Sequence, residues 1–120
     1  MAMILIATAD SALATLLLAE LGGEGHAITW ALDGHEALEL ALGQSPDLIL
    51  MDQTLEWVST QQVCETLRNR TDIPPDLPIL LLSDEFADAR TLARLQVTER
   101  LGKSHTVAEL RELLARLLAP

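Results

Sequence analysis

The sequence has no tyrosine, one phenylalanine and a single cysteine. One thiol, Cys64, excludes an internal disulfide and any multi-cysteine metal centre. Its place inside an apolar helical pattern marks it as a buried structural residue, which suits a reducing cytoplasm. Positive charge is also scarce: 8 Lys and Arg stand against 18 Asp and Glu, a formal net charge of -10 at pH 7, and the basic residues are nowhere clustered. A surface of that sign repels a phosphate backbone and an anionic bilayer, so neither nucleic acid nor membrane is expected as a direct partner. Long apolar runs are missing as well. The run in MAMILIATAD stops at Asp10 with no basic residue ahead of it, too short for a signal peptide or for the ~20 residues of a membrane span.

What remains is a globular composition, 49% hydrophobic and 22% charged, with enough Leu, Ile and Ala to bury a core. A length of 120 residues is one domain's worth, 1–120, and leaves little for an effector or a tail. Met3–Ala7 (MILIA) is a continuous apolar run, as expected of a parallel strand covered on both faces. Leucines at 13, 16, 17 and 21 then predict a helix over residues 11–21, capped by Asp10 or Ser11 and ended by Gly22, Gly23 and Gly25. Residues 26–31 read as a second strand. Asp33-Gly-His-Glu36 opens a helix in the manner of a capping box and carries it to about Leu42, with Gly43 and Pro46 at the exit. Residues 48–51 (LILM) form another buried strand, which delivers Asp52 at its carboxyl end. A helix over Thr60–Arg68 follows, with Val63, Cys64 and Leu67 on one face, and the three prolines of residues 71–78 require a loop. Ile79–Leu82 is the fourth strand, ending at Ser83. Residues 87–95 are a short helix with Leu92 and Leu95 inward, and residues 97–101 the fifth strand. Thr106-Val-Ala-Glu109, a second capping-box match, opens a last helix with leucines at 110, 113, 114 and 117.

Five strands alternating with five helices specify an α/β domain with a flavodoxin-like, doubly wound parallel sheet and right-handed crossovers. In the strand order 2-1-3-4-5, ligands sit outside the carboxyl ends of the strands, near the switch point between the first and third. The residues brought there are Thr8 to Asp10, Asp52 to Thr54, Ser83 and Lys103. No Gly-rich phosphate loop follows the first strand and no His or Cys stands at a strand end, which disfavours an enzyme or a flavin carrier on this fold. His26, His35 and His105 lack ligand-like spacing and carry no catalytic expectation. Trp30 reads as a sheet residue packed on a helix and Trp57 as a loop residue near Asp52.

Pro46-Asp-Leu-Ile-Leu-Met-Asp52 resembles the third strand of the receiver domains of two-component response regulators, which ends in a phospho-accepting aspartate. Ala31-Leu-Asp-Gly-His-Glu-Ala-Leu38 is similar to that family's second strand-to-helix junction, Pro78-Ile-Leu-Leu-Leu-Ser83 to its fourth strand with a Ser or Thr, and Leu101-Gly-Lys103 to its fifth with a lysine. The resemblance covers the whole chain. It implies a phosphorelay module rather than an enzyme, taking a phosphoryl group on Asp52 from a histidine kinase or a phosphotransfer protein. Ser83 would donate to one phosphoryl oxygen and Lys103 would pair with another. Mg²⁺ would be held by an acidic pair after the first strand, by Asp52 and by the backbone carbonyl of Thr54. The resemblance also implies a face of fourth helix, fifth strand and fifth helix through which a homodimer can form.

The sequence departs from that pattern where the metal belongs. Aligning ILIA with the family's first strand puts Thr8 and Ala9 at the two acidic positions and Asp10 one place beyond them. Asp10 is then a helix cap or, with a one-residue slip, a metal ligand, and Mg²⁺ binding is expected to be weak or absent. Arg100 stands where the family carries an aromatic residue three places before the lysine. It is expected to stay solvated, because burying an unpaired guanidinium is costly. Ser104 replaces the proline that usually follows the lysine, and Glu56 and Thr60 replace a proline and a glycine after the acceptor. The replacements at Thr8 and Ala9 and Arg100 favour the alternative of a pseudo-receiver, which keeps the fold and signals without phosphorylation, whereas the retained Asp52, Ser83 and Lys103 favour phosphoryl transfer. From charge alone, fluorescence anisotropy should show no salt-sensitive binding to random duplex DNA at micromolar protein, and such binding would contradict the argument.

Overall fold

The structure, a computed structural model, describes residues 2–85 and 88–119. Its elements follow in the order β1 (Met3–Ala7), α1 (Ser11–Gly22), β2 (Ala27–Ala31), α2 (Gly34–Gln44), β3 (Leu48–Asp52), α3 (Thr60–Arg68), β4 (Ile79–Leu82), α4 (Ala89–Leu95), β5 (Glu99–Leu101) and α5 (Val107–Leu117). The strands form one parallel sheet in the order β2-β1-β3-β4-β5, as the alternation of elements requires. No described helix is long and apolar enough to cross a membrane.

The continuous apolar runs follow from burial on both faces, because successive side chains of a strand point to opposite sides. Ile4, Ile6, Leu48, Leu50, Leu80 and Leu82 meet Leu13, Leu17 and Leu21 of α1 and Leu110 and Leu114 of α5. Their neighbours Leu5, Ala7, Ile49, Met51, Ile79 and Leu81 meet Ala37 and Ala41 of α2, Val63, Cys64 and Leu67 of α3, and the half-buried Leu92 and Leu95 of α4. Each fully buried Leu or Ile contributes roughly 1.5–3 kcal/mol of transfer free energy. Burial also pushes the Cys64 thiol up to about 11, with Glu65 adding to the rise and Arg68 opposing it, so this cysteine is a packed apolar residue.

The element boundaries differ from the sequence expectation at several ends. Gly22 continues α1 for one residue and Gly43 stays helical, so that Ser45, in a left-handed conformation with φ 49°, ends α2. His26 precedes β2 and accepts the Ala2 N–H on Nδ1. The expected helix start at Ala87 lies outside the described residues, and the described helix begins at Ala89 behind the cap residue Asp88. Val97 is buried but belongs to the exit of α4: Gln96 adopts φ 61° and the Val97 N–H donates to Leu92 O. At Thr98 a side chain enters the ladder, Oγ1 accepting from Ile79 N, and β5 starts only at Glu99.

One close approach fixes the loop between β3 and α3, which borders the carboxyl edge of the sheet. The Gly34 N–H donates to Glu56 O at 3.1 Å, and a Cβ on Gly34 would lie 1.7 Å from Val58 O. Only glycine admits the loop there. Gly34→Ala should therefore lower the stability measured by urea denaturation by about 1–3 kcal/mol, the usual cost of overpacking. The control Gly22→Ala, at a position with nothing within 4 Å, should be neutral or stabilising by up to about 1 kcal/mol. Equal stability of the two variants would show that the loop is not held by this contact.

Candidate functional site

Asp52 closes β3 and is paired in register with Leu82 of β4, which leaves its side chain at the carboxyl edge of the sheet, 5% exposed. A carboxylate that far from water needs polar partners on both oxygens. Oδ1 accepts from the Thr54 N–H at 3.2 Å and lies 3.0 Å from the Nζ of Lys103, the only lysine in the sequence. Oδ2 accepts from the Thr8 hydroxyl at 2.8 Å. Thr8, fully buried just beyond β1, also accepts the Asp10 N–H on its Oγ1, and its carbonyl accepts from the indole N–H of Trp30 at 2.9 Å. Beneath the carboxylate, buried Thr60 at the start of α3 donates its hydroxyl to Asp52 O.

Ser83, 3% exposed, stands at the matching end of β4. Its N–H donates to Leu101 O and its carbonyl accepts from Arg100 Nη1 at 2.7 Å. Its hydroxyl accepts from the Glu85 N–H and donates to the side-chain oxygen of Gln53, the residue after Asp52. Lys103 is held from behind: its N–H donates to Asp84 Oδ1 at 2.7 Å. The turn that follows is anchored by His105, whose side chain is fully buried with Nδ1 2.9 Å from Gly102 O and Nε2 3.1 Å from Glu20 Oε2 on α1. His105 thus supports the lysine's loop and has no place at the edge itself.

The sequence-nominated residues are therefore brought together in part. Asp52, Lys103 and Thr54 share one cluster, and Ser83 joins it through Gln53. Asp10 is the N-cap of α1, with Oδ1 accepting from Ala12 and Leu13. Among the described residues, no three His, Cys, Asp or Glu side chains group as metal ligands. Arg100, expected to be solvated, is half-buried with a backbone carbonyl as its partner. Three participants were given no hydrogen-bonding role from sequence: Thr8 and Gln53 fell within the residues expected at the strand ends, and Thr60 was visible only as a lost glycine. The capping box of Ser59 and Gln62 that starts α3, and so places Thr60, was legible as Ser-x-x-Gln.

Comparison with known proteins fits this geometry. Residues 4–115 match the response regulator receiver domain family. The response regulator MprA of Mycolicibacterium vanbaalenii is 33% identical over 124 residues, covering 97% of this chain and 48% of that protein. The transcriptional regulatory protein AfsQ1 of Streptomyces coelicolor is 36% identical over 87 residues, covering 72% of this chain and 37% of that protein. The chain thus spans about half or less of the length of these relatives. Among solved structures, the receiver domain of a Pseudomonas aeruginosa sensor histidine kinase, with a magnesium ion coordinated in its active-site cleft, superposes with a TM-score of 0.88 at 25% identity, over 99% of this chain and 98% of that one. A putative response regulator from Chloroflexus aurantiacus superposes with a TM-score of 0.89 at 25% identity, over 99% and 98% of the two chains. With the sheet order, the buried strand-end aspartate and the lysine beside it, these matches establish that the chain belongs to the response regulator receiver domain family of two-component signal transduction.

Proposed function

We propose that Asp52 accepts a phosphoryl group from a histidine kinase or a phosphotransfer protein. The observation that carries this reading is the pairing of the buried Asp52 carboxylate with the Lys103 ammonium at 3.0 Å at the carboxyl edge of the sheet. One carboxylate oxygen attacks phosphorus, the bond from phosphorus to the donor's nitrogen breaks with its electron pair returning to the imidazole, and an acyl phosphate forms. Charge that shifts onto the phosphoryl oxygens in that step meets the Lys103 ammonium, the Thr54 N–H and, once turned toward it, the Ser83 hydroxyl. The chain acts here as a signalling module in the cytoplasm and not as an enzyme. The surface of α4, β5 and α5 is the candidate face for a second copy.

The residues present do not fit a tightly held Mg²⁺. The family's acidic positions are Thr8 and Ala9, Asp10 caps its own helix, and both oxygens of the lone remaining carboxylate, Asp52, are engaged by protein groups. Of the ligands the resemblance nominates, Asp52 and the Thr54 carbonyl remain, which is fewer oxygen donors than a divalent cation takes from such sites. The reading is therefore of weak or absent Mg²⁺ binding.

Incubation with acetyl phosphate, followed by intact-mass spectrometry, should show one phosphoryl adduct on the wild-type chain and none on Asp52→Asn. No adduct on the wild type, with millimolar Mg²⁺ present, would reverse the reading in favour of a module that signals without phosphorylation. For the metal, the tryptophan fluorescence of Trp57 and Trp30 should not saturate at micromolar Mg²⁺. Installing the acidic pair by Thr8→Asp with Ala9→Asp should tighten binding by roughly tenfold or more. Saturation of the wild type at micromolar Mg²⁺ would overturn the assignment.

A further inference from the structure

We propose that Gln53 is a latch on Ser83: in the resting domain its amide oxygen takes the single hydroxyl proton of Ser83, which must be released before Ser83 can donate to a phosphoryl group on Asp52. The inference rests on Asp52 being the phosphoacceptor and adds a residue that regulates the same site.

The single proton of the Ser83 hydroxyl is already committed. It goes to Gln53 Oε1, while one lone pair accepts from the Glu85 N–H. The orientation of the Gln53 amide is fixed by its other end, where Nε2 donates to Glu85 Oε2 at 3.2 Å. Turning the amide over would set its oxygen against that carboxylate and leave the Ser83 proton facing an N–H₂ group. The backbones on both sides are tied. Ser83 is held through its N–H by Leu101 and through its carbonyl by Arg100, and the Gln53 N–H donates to Leu82 O. Any rearrangement is thus confined to two side chains, and the solvent-exposed Gln53 has room to swing clear. A phosphoryl oxygen on Asp52 is a charged acceptor and outcompetes a neutral amide for the hydroxyl proton, but only after the existing bond is lost. Gln53 therefore weakens what Ser83 contributes.

The test is a set of initial rates of phosphoryl adduct formation with acetyl phosphate, followed by mass spectrometry, for wild type, Gln53→Ala, Ser83→Ala and the double variant. Thermal melts establish that all four are folded. Gln53→Ala should load about fivefold faster than wild type, the worth of one neutral hydrogen bond, and Ser83→Ala more slowly. The double variant should match Ser83→Ala, because a latch has nothing to hold once the hydroxyl is gone. An unchanged or slower Gln53→Ala overturns the latch. So does an equal acceleration in the Ser83→Ala background, which would mean that Gln53 merely obstructs access. If Ser83→Ala loads as fast as wild type, Ser83 does not assist the reaction and the latch falls with that role. If no chain gains an adduct, it is the phosphoacceptor reading that has failed.

Discussion

A carboxylate buried at the end of a central strand is the constraint around which the rest of this domain is arranged. A carboxylate that is 5% exposed is tolerated as a charge only where hydrogen-bond donors and an opposite charge converge on it. Lys103 supplies the charge from β5, two strands away in the sheet. Its reach depends on the chain beyond β5 staying in place, and three contacts see to that. Asp84 accepts the Lys103 N–H, Gly102 O meets the His105 ring, and the far side of that ring meets Glu20 on α1. The ion pair is in this sense a property of the whole upper edge. Remove a support and the cost falls on Asp52, although the partly exposed lysine means that solvent shares the compensation.

The substitution of Thr8 for an acid has a physical meaning beyond loss. Acidic side chains at positions 8 and 9 would crowd like charges around Asp52, which is tolerable only with a divalent cation among them. Thr8 replaces that arrangement by a neutral one: its hydroxyl donates to Asp52 Oδ2 and accepts from the Asp10 N–H, so a fully buried side chain has its donor and an acceptor site in use. Asp10, released from any duty at the cleft, caps α1. The two changes are coupled, since the Asp10 N–H that bonds Thr8 belongs to the same residue whose carboxylate starts the helix.

The fold was legible because its signals are one-dimensional. MILIA, LILM and ILLL are apolar at every position, which only a strand covered on both faces demands, and the helices between them announce themselves by leucine spacing and polar caps. The edges of elements were less legible, since they depend on partners remote in sequence. Val97 looks like strand but is claimed by the turn leaving α4, and the first contact with β4 is made at Thr98, whose N–H donates to Ile79 O and whose hydroxyl accepts from Ile79 N. At the site, Asp52, Ser83 and Lys103 could be nominated because strand ends in this topology share one edge. Thr8, Gln53 and Thr60 could not be assigned roles in the same way. A hydroxyl or an amide has no fixed preference for an environment, and its role appears only when the acceptor or donor opposite it is known.

Arg100 shows how a departure from the family pattern can be misjudged from sequence and then explained. The cost of burying a guanidinium applies to one without partners. Here Nη1 donates to the Ser83 carbonyl at 2.7 Å, and the residue lines a surface hollow with Glu109, Glu112 and Arg116 of α5. A rotating aromatic ring would respond to space vacated by Ser83. A hydrogen bond to the Ser83 carbonyl responds instead to the position of its backbone, and that backbone is pinned on the other side by Leu101. With both backbone bonds of Ser83 kept, a change in the partner of its hydroxyl would not by itself displace Arg100.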